Sequence, residues 1–463
     1  LISMIKGKEV LVVGMARSGM AAAELLSKSG ACKITVTDQK QPAQLENELA
    51  LLKRYPNITA ACGGNPPDLV TSNLSMIIKS PGVPPNLELF RKAEELGIPV
   101  ISEIELAYAF IRAPIVGVTG TNGKTTVTAL VTAMLKEASI EPVISAGNIG
   151  NPLSGVINKI SAQGVIVAEL SSFQLENIRY FRPSVAVFLN FAEDHIDYHG
   201  SIEKYYRAKQ RIFENQSEGD YAVLNAADHK VASAAEKIKS SVLWFNRAPV
   251  YPGIGVEDGQ INLYSSDRNK FEICPLSDVA LPGEHNLENA LAASAAAWAM
   301  GADLPSIGIV LQNFRAIEHR LEHVATINEV DYINDSKGTN PGATIKALKS
   351  FPGRKKILIA GGKDKGSDFS EMAALLQSEV RLLLLLGETK DIIAQAAEQA
   401  GFKSYLKVEK FEDAVSAARR EARSGEIVLL SPACASWDMF TDYEARGSLF
   451  KKLVRAPQEA ESS

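Results

Sequence analysis

The stretch IVGVTGTNGKTTVTALVTAM, residues 115–134, reads as an apolar strand ending at Thr119, a glycine loop and a helix. The apolar face of that helix is Val127, Leu130, Val131, Met134, Leu135 and Ala138, spaced at the helical period. Gly120 and Gly123 let backbone N–H groups turn inward around an anion, and the helix N-terminus adds partial positive charge. Lys124 would then reach the outer phosphates of a nucleotide, and Thr125 would offer a hydroxyl to Mg²⁺. The usual spacing G-x-x-x-x-G-K-[ST] asks for glycine where Val118 stands, so this is a variant P-loop. The competing reading is a glycine-rich turn between a buried strand and a helix.

Around this stretch, 463 residues exceed one ordinary core and imply roughly two to four domains. An apolar content of 46% and a charged content of 22% are those of a globular chain with sizeable cores. A formal charge of −5 gives no overall attraction to nucleic acid or anionic membrane, so any bound anion must be held locally. Cys32, Cys62, Cys274 and Cys434 lack metal-ligand spacing and fit a reducing compartment. There is no signal-peptide pattern, and the longest leucine run, Leu382 to Leu386, is strand-sized. A cytoplasmic protein with no membrane insertion is expected.

N-terminal to the loop, from Glu9 to about Arg112, apolar runs alternate with helical stretches: EVLVVG, a helix over Ser18 to Ser29, then KITVTD. This is the opening of a dinucleotide-binding unit, except that G-M-A-R-S-G has Ala16 in place of the second glycine. The backbone from Ala16 to Gly19 could cradle a diphosphate, with Asp38 reading a nucleoside at the end of the second strand; a glycine needed only for packing is the alternative. Ser80 and Gly82, in the turn of IIKSPG, would line the same cleft or form a simple turn.

From about Ala113 to Ile317 the alternation continues. VIVAEL ends in Glu169, placed beside a P-loop strand to hold Mg²⁺, and Ser171 follows in a loop. VAVFLN leads into EDHIDYHG, which crowds Asp194, His195, Asp197 and His199 into six residues and suggests a second cation site. The competing reading has His199 or Asp197 capping the helix that starts near Ser201. That helix, SIEKYYRAKQRIFEN, reads as an amphipathic surface helix, and Lys209 within it is ambiguous. Residues 242–279 read as a small antiparallel sheet. Asn286 and Asn289 share a face at the start of an alanine-rich helix, where they cap it or read an adenine edge.

From about Glu318 a third α/β block follows: VDYINDSK, KKILIAGG, RLLLLLGE, SYLKVE and IVLLSP. The loops N-D-S-K-G-T-N, G-G-K-D-K-G-S-D and S-P-A-C-A-S-W-D all follow strands, at the edge where such sheets bind ligands.

Together these motifs resemble the Mur ligase family over nearly the whole chain. They are G-T-N-G-K-T-T, G-N-I-G at Gly147, E-L-S-S-F-Q-L at Glu169, D-H-x-D at Asp194, A-K at Ala208, G-E-H-N at Gly283, H-R at His319, N-D-S-K-G-T-N at Asn334 and L-S-P-A-C-A-S-W-D at Leu430. The family's N-G-K-T loop lacks the first Walker glycine, which accounts for Val118. D-N-P-R, usual in the diaminopimelate-adding members, is absent.

The resemblance implies three α/β domains. These are a Rossmann-like UDP-substrate domain, residues 1–112; a central P-loop ATPase domain, 113–317, with a mostly parallel sheet plus a small antiparallel one; and a Rossmann-like amino-acid-binding domain, 318–463. It implies an ADP-forming ligase with ATP, UDP-N-acetylmuramoyl-L-alanine and D-glutamate as substrates, two Mg²⁺ sites, CO₂ held as a lysine carbamate, and a monomer. By family position, Gly120, Thr121, Asn122, Gly123, Lys124, Thr125 and Thr126 hold the nucleotide, joined by Asn286, Asn289, Arg320 and Asp335. Thr125 and Glu169 hold one Mg²⁺, and His195 with carbamylated Lys209 the second. Asn148 orients the acyl end. Ser18, Gly19, Asp38, Lys40, Ser80, Gly82 and Ser171 fall on the UDP-sugar. Lys337, Thr339, Lys365, Ser436 and Tyr443 fall around the D-glutamate pocket, where carboxylates need cations and hydroxyls, and His319, which follows the hinge with Arg320, is a further substrate contact. A nicotinamide-dependent dehydrogenase is disfavoured by Ala16 and the P-loop, and a P-loop switch without ligase chemistry by the crowded loop after Asn190.

Overall fold

The computed structural model describes residues 2–148, 150–314, 318–363 and 366–456. Among them the strands form three sheets. The first contains β1 (Glu9–Val13), β2 (Lys33–Asp38), β3 (Ile58–Cys62), β4 (Leu74–Lys79) and β5 (Val100–Ser102), all parallel, in the order β3-β2-β1-β4-β5. Val10 to Val13 are fully buried, as the unbroken apolar run requires of a central strand covered on both faces. The strand order reverses between β1 and β4, which brings the turn after Val13 and the turn after Lys79 to one crevice.

The second sheet contains β6 (Ile115–Thr119), β7 (Val143–Gly147), β8 (Val165–Glu169), β9 (Val185–Phe188), β10 (Tyr221–Asn225), β11 (Ser241–Phe245), β12 (Gly253–Glu257), β13 (Gln260–Tyr264) and β14 (Lys270–Pro275). Its order is β14-β13-β12-β11-β10-β9-β6-β8-β7, so the P-loop strand β6 lies between β9 and β8. From β7 across to β12 the pairing is parallel; only β12-β13-β14 is antiparallel. The antiparallel region expected over residues 242–279 is therefore the edge of the main sheet. The helix Lys124–Glu137 buries Val127, Leu130, Val131, Met134 and Leu135, while Ala138 serves as its C-cap.

The third sheet contains β15 (Glu322–Ile327), β16 (Val330–Asn334), β17 (Lys356–Gly361), β18 (Val380–Leu386), β19 (Tyr405–Lys407) and β20 (Ile427–Leu430), in the order β15-β16-β20-β17-β18-β19. It is parallel except for the β15–β16 hairpin, whose first strand the sequence patterning did not reveal.

The chain divides into two compact units: residues 1–279 with 288–313, and residues 280–287 with 314–463. The first two sheets share one unit. They are joined by the short helix Glu103–Tyr108, where the fully buried Glu105 accepts backbone N–H bonds from Arg179, Tyr180 and Phe181 at 2.9 Å each. Its neighbour Glu103 accepts from Ser154 N at 2.6 Å, and among the described residues its buried Oε2 has no partner. Burial pushes the Glu103 carboxyl up to about 6 from an ordinary 4.5, against the lowering effect of Ser154. A raised acid favours folding below about 4.5 and loses that contribution as pH rises through about 6, a difference of about 2 kcal/mol. Thermal melts of Glu103→Gln are expected to show a higher Tm at pH 7 and a flatter pH dependence across that window. No helix among the described residues is long and apolar enough to cross a membrane.

Candidate active site

The loop after β6 is built for close backbone approach. Gly120 has φ +151°, and a Cβ there would lie 2.9 Å from Leu189 Cβ; Gly123 has φ +90°, and a Cβ there would lie 2.2 Å from Asn289 Oδ1. Only glycine meets both demands. Asn190, which sequence patterning left unassigned, clamps the loop: its Oδ1 accepts from Asn122 N at 2.9 Å, its Nδ2 donates to Asn122 O at 3.0 Å, and its carbonyl accepts from Thr121 N at 3.0 Å. The Thr121 hydroxyl donates to Ala192 O at 3.1 Å and accepts from Ala192 N at 3.0 Å. Thr125 and Thr126 stand in the first turn of the helix, the former half-buried and the latter buried.

Two lysine amines converge on one carbonyl. Lys124 Nζ donates to Gly120 O at 2.9 Å and Thr121 O at 2.8 Å, and Lys209 Nζ donates to Gly120 O at 2.7 Å. Lys209 is only 2% exposed, with its amine 4.7 Å from the Tyr205 ring centroid. The surface-cation reading of its helix, Ile202–Gln210, therefore fails: the helix turns Tyr205, Ala208 and Lys209 inward. Burial drives the Lys209 amine well below its ordinary pKa, and the like charge of Lys124 adds to this against Asp194 and Glu169.

Glu169 ends β8 beside the loop and is 2% exposed. Its Oε1 accepts from Asn148 Nδ2 at 3.1 Å, while its buried Oε2 has no partner among the described residues. His195 sits in the left-handed region at φ 54° and starts the single-turn helix Ile196–His199. Phe173 packs edge-on to the His195 ring, with centroids 4.9 Å apart. Capping of the next helix falls to Ser201, which accepts from Lys204 N at 3.3 Å; His199 is buried instead, 2.9 Å from Ser172 Oγ. The Asp197 side chain lies outside the described residues. Ser171 caps the helix Ser172–Leu175 in a box with Gln174.

The donor set can be tested against Mg²⁺. Among the described residues no three His, Cys, Asp or Glu side chains converge on one point, so no all-protein cage is built. Mg²⁺ characteristically takes one or two carboxylates and completes its octahedron with phosphate oxygens and water. Among the described residues the buried Oε2 of Glu169 has no partner, and Glu169 ends the strand next to β6, whose loop leads to Thr125 in the first turn of the helix; this donor set fits that pattern.

At the first sheet's crevice, Gly14 has φ +99°, and a Cβ on Gly19 would meet Gly14 O at 1.8 Å. Ala16, where a second glycine was missed, is exposed at the open N-terminus of the helix Arg17–Lys28, and Ser18 follows it. Asp38 closes the turn by accepting from Met15 N at 2.7 Å and Lys40 N at 2.9 Å; the Lys40 side chain is exposed. Ser80 is buried and donates to Gly14 O at 3.2 Å, while Gly82 is exposed with open space around it.

The second unit gathers another set. Asp335 is fully buried: Oδ2 accepts from Ser431 Oγ at 2.8 Å, and Oδ1 faces Leu321 N at 3.3 Å and Arg320 at 3.4 Å. Burial pushes its carboxyl up while Arg320 holds it down. His319, at φ 65°, places Nδ1 2.9 Å from Asn334 Nδ2. The Lys337 amine lies 5.1 Å from the centroid of Tyr443, Thr339 N donates to Lys337 O, and Ser436 is buried nearby in sequence to Tyr443. Asn286 Nδ2 donates to Pro282 O at 2.7 Å at the start of its helix. Lys365 lies outside the described residues. Arg446, in the helix Tyr443–Arg455, is buried, and burial pushes its guanidinium down to about 10. It donates to Ser336 Oγ at 3.0 Å and Ser336 O at 2.8 Å, with Cys434 O at 3.4 Å, so it ties two of the expected ligand loops together.

Three family models match the chain: a Mur ligase MurD-like N-terminal domain over residues 8–102, a Mur ligase middle domain over 118–297, and a Mur ligase glutamate ligase domain over 319–434. The chain is 46% identical over 448 residues to UDP-N-acetylmuramoylalanine--D-glutamate ligase of Pelotomaculum thermopropionicum, covering 96% of this chain and 97% of that one. It is 45% identical to the protein of the same name from Clostridioides difficile, covering 97% and 99%. Among solved structures it is similar in fold to a pseudomurein peptide ligase type C from Methanothermus fervidus (TM-score 0.59, 19% identity, 96% and 99% covered). A UDP-N-acetylmuramate-alanine ligase from Thermotoga maritima gives a similar match (TM-score 0.58, 20% identity, 96% and 98% covered).

Proposed function

The chain belongs to the Mur ligase family, and from that premise we propose that it joins D-glutamate to UDP-N-acetylmuramoyl-L-alanine, cleaving ATP to ADP and phosphate in peptidoglycan precursor synthesis. The observation that carries the chemistry is the convergence of Lys124, Lys209 and the unpartnered Glu169 oxygen around a loop whose glycines admit no side chain.

In this reading the alanyl carboxylate attacks the γ-phosphorus, the bond to the β-bridging oxygen breaks, and ADP leaves. The amine of D-glutamate then attacks the acyl phosphate carbonyl, loses a proton, and the tetrahedral intermediate collapses to amide and phosphate. The obstacle is bringing a carboxylate against a triphosphate, a repulsion of roughly 4 kcal/mol per charge pair at about 4 Å and an effective dielectric of about 20. Mg²⁺, when bound, supplies the positive charge that neutralises these oxygens. Thr125 and Glu169 would hold one ion and His195 a second.

Lys124 leaves its two loop carbonyls to meet the transferring phosphoryl group, stabilising charge as it develops. Asn148 holds the Glu169 carboxylate and presents its other face to the acyl end of the substrate. Burial lowers the Lys209 amine's pKa and so favours the unprotonated form that adds CO₂: its nitrogen bonds to carbon, a proton leaves, and the amine becomes a carbamate anion. The crevice between β1 and β4 grips the UDP moiety, with Lys40 at the base and Ser80 at the diphosphate. Asn289 and Asn286 serve the adenine, Arg320 and Asp335 the remaining nucleotide contacts, and Lys337, Thr339, Lys365, Ser436, Tyr443 and His319 the amino acid. A reaction drawing on ATP and a nucleotide-linked sugar belongs in the cytoplasm.

Phosphate release from ATP with UDP-N-acetylmuramoyl-L-alanine tests the reading, comparing D-glutamate, L-glutamate, L-lysine and meso-diaminopimelate. Release stimulated by D-glutamate alone is expected. Stimulation by another amine would keep the ligase chemistry and overturn the specificity.

A further inference from the structure

An ion pair between a buried lysine and a half-buried glutamate, outside the groups assigned above, joins the first sheet to the second. Lys79, the last residue of β4, is 5% exposed. Its amine reaches Glu176 Oε2 at 3.2 Å and donates to Tyr198 Oη at 2.5 Å. Tyr198 Oη donates in turn to Val83 O at 3.2 Å. One hydroxyl thus holds the Ser80–Gly82 turn from both flanks, through Lys79 before it and Val83 after it.

Tyr198 belongs to the helix Ile196–His199, a single turn that begins at His195. An isolated turn has no stability of its own, so its position is set by what its side chains touch. Phe173 fills the space between them, with ring centroids 4.3 Å from Tyr198, 4.9 Å from His195 and 5.4 Å from His199. His199 lies 2.9 Å from Ser172 Oγ and 3.8 Å from Glu176. The same small network therefore touches the turn at the UDP crevice and the helix that presents His195. Burying the lysine of such a pair is weak evidence for stability, because desolvation offsets the attraction; fixing register is the best-attested use of such a pair.

We propose that Lys79 is a positioning residue for the ligation: through Tyr198 and Glu176 it locks the Ser80–Gly82 turn to the helix led by His195, so that the grip on the UDP-sugar and the placement of its acyl end form one rigid arrangement. The inference rests on the ligase reading above. It does not extend to the nucleotide loop, which Asn190 clamps separately.

The test compares wild type, Lys79→Met, Lys79→Arg and Tyr198→Phe as full chains, by steady-state kinetics, calorimetric titration with UDP-N-acetylmuramoyl-L-alanine, and thermal melts. Misplacement by about 1 Å can cost on the order of a hundredfold, so Lys79→Met is expected to lower kcat by about tenfold to a hundredfold and weaken UDP-sugar binding by about tenfold. KM for ATP should stay within about twofold, since its loop is held independently, and Lys79→Arg should recover most of the loss. Tyr198→Phe should show the same pattern at smaller size without unpairing a buried charge, and so carries the test if Lys79→Met does not fold. A lowered Tm with unchanged kcat, KM and UDP-sugar affinity would overturn the proposal, as would equal rises in KM for ATP and UDP-sugar. If wild type shows no D-glutamate-dependent turnover, the ligase reading fails on its own, and the calorimetric comparison still decides whether Lys79 organises the crevice.

Discussion

Lys209→Ala is expected to stay folded yet lose D-glutamate-dependent phosphate release by about a hundredfold to a thousandfold, the scale for removing a preorganised charged group. Lys209→Arg should fare no better. A lysine acting as a cation would be replaced in part by arginine, whereas a lysine acting as a carbamate cannot be, because the guanidinium does not add CO₂. The physical basis is burial: the amine is 2% exposed, bound to Gly120 O at 2.7 Å, and driven well below its ordinary pKa, first by desolvation and then by Lys124. The sign of the pH effect follows. Between that lowered pKa and 10.5 the folded state holds fewer protons at this site than the unfolded chain, so the contribution of the unmodified lysine to stability improves as pH rises through that window. Incubation with ¹³C-bicarbonate should give a carbamate carbonyl resonance in wild type that is missing in Lys209→Ala. Full activity in the arginine variant, or in wild type without that resonance, would refute the carbamate.

Glu169→Gln is expected to lower kcat by about a hundredfold or more while Tm holds or rises slightly. The substitution preserves volume and the partnership with Asn148 across 3.1 Å, and removes only the charge. In the absence of nucleotide that charge is a liability, since Oε2 is buried with no donor among the described residues. A carboxylate kept buried at such a cost is explained by a cation that arrives with the phosphates. Electron paramagnetic resonance of Mn²⁺ with ATP reads this without turnover, and wild type should bind the ion more tightly than the variant. Equal Mn²⁺ binding by the two proteins would remove Glu169 from the metal site.

These two residues differ in how far sequence could take them. Glu169 was legible, because an acidic residue at the end of an apolar strand beside a P-loop strand is a local pattern with a specific geometric consequence. Lys209 was not. Its helix carries Lys204, Arg207, Lys209 and Arg211, and nothing in their spacing distinguishes the one that turns into the core from those that do not. The carbamate proposed for it came only from resemblance, and its burial only from the fold. Asn190 and Arg446 gave no local signal at all: one follows a strand as any asparagine might, and the other sits in a helix that also carries Glu444, Lys451, Lys452 and Arg455.

The sequence by itself determined the strand, loop and helix of residues 115–137, the alternation that builds three mostly parallel sheets, and the turns at Gly14, Gly120 and Gly123. These depend on backbone preferences and apolar periodicity, which are written within a few residues. Tertiary structure decided the rest. The 242–279 strands became an edge of the main sheet, Ser201 rather than His199 took the cap, Glu103 and Glu105 were drawn into the join between sheets, and Lys79 was brought to Tyr198 across 119 residues of chain. Charge state, burial and register across sheets depend on what arrives from distant segments, and a side chain's own neighbours in sequence carry no record of that.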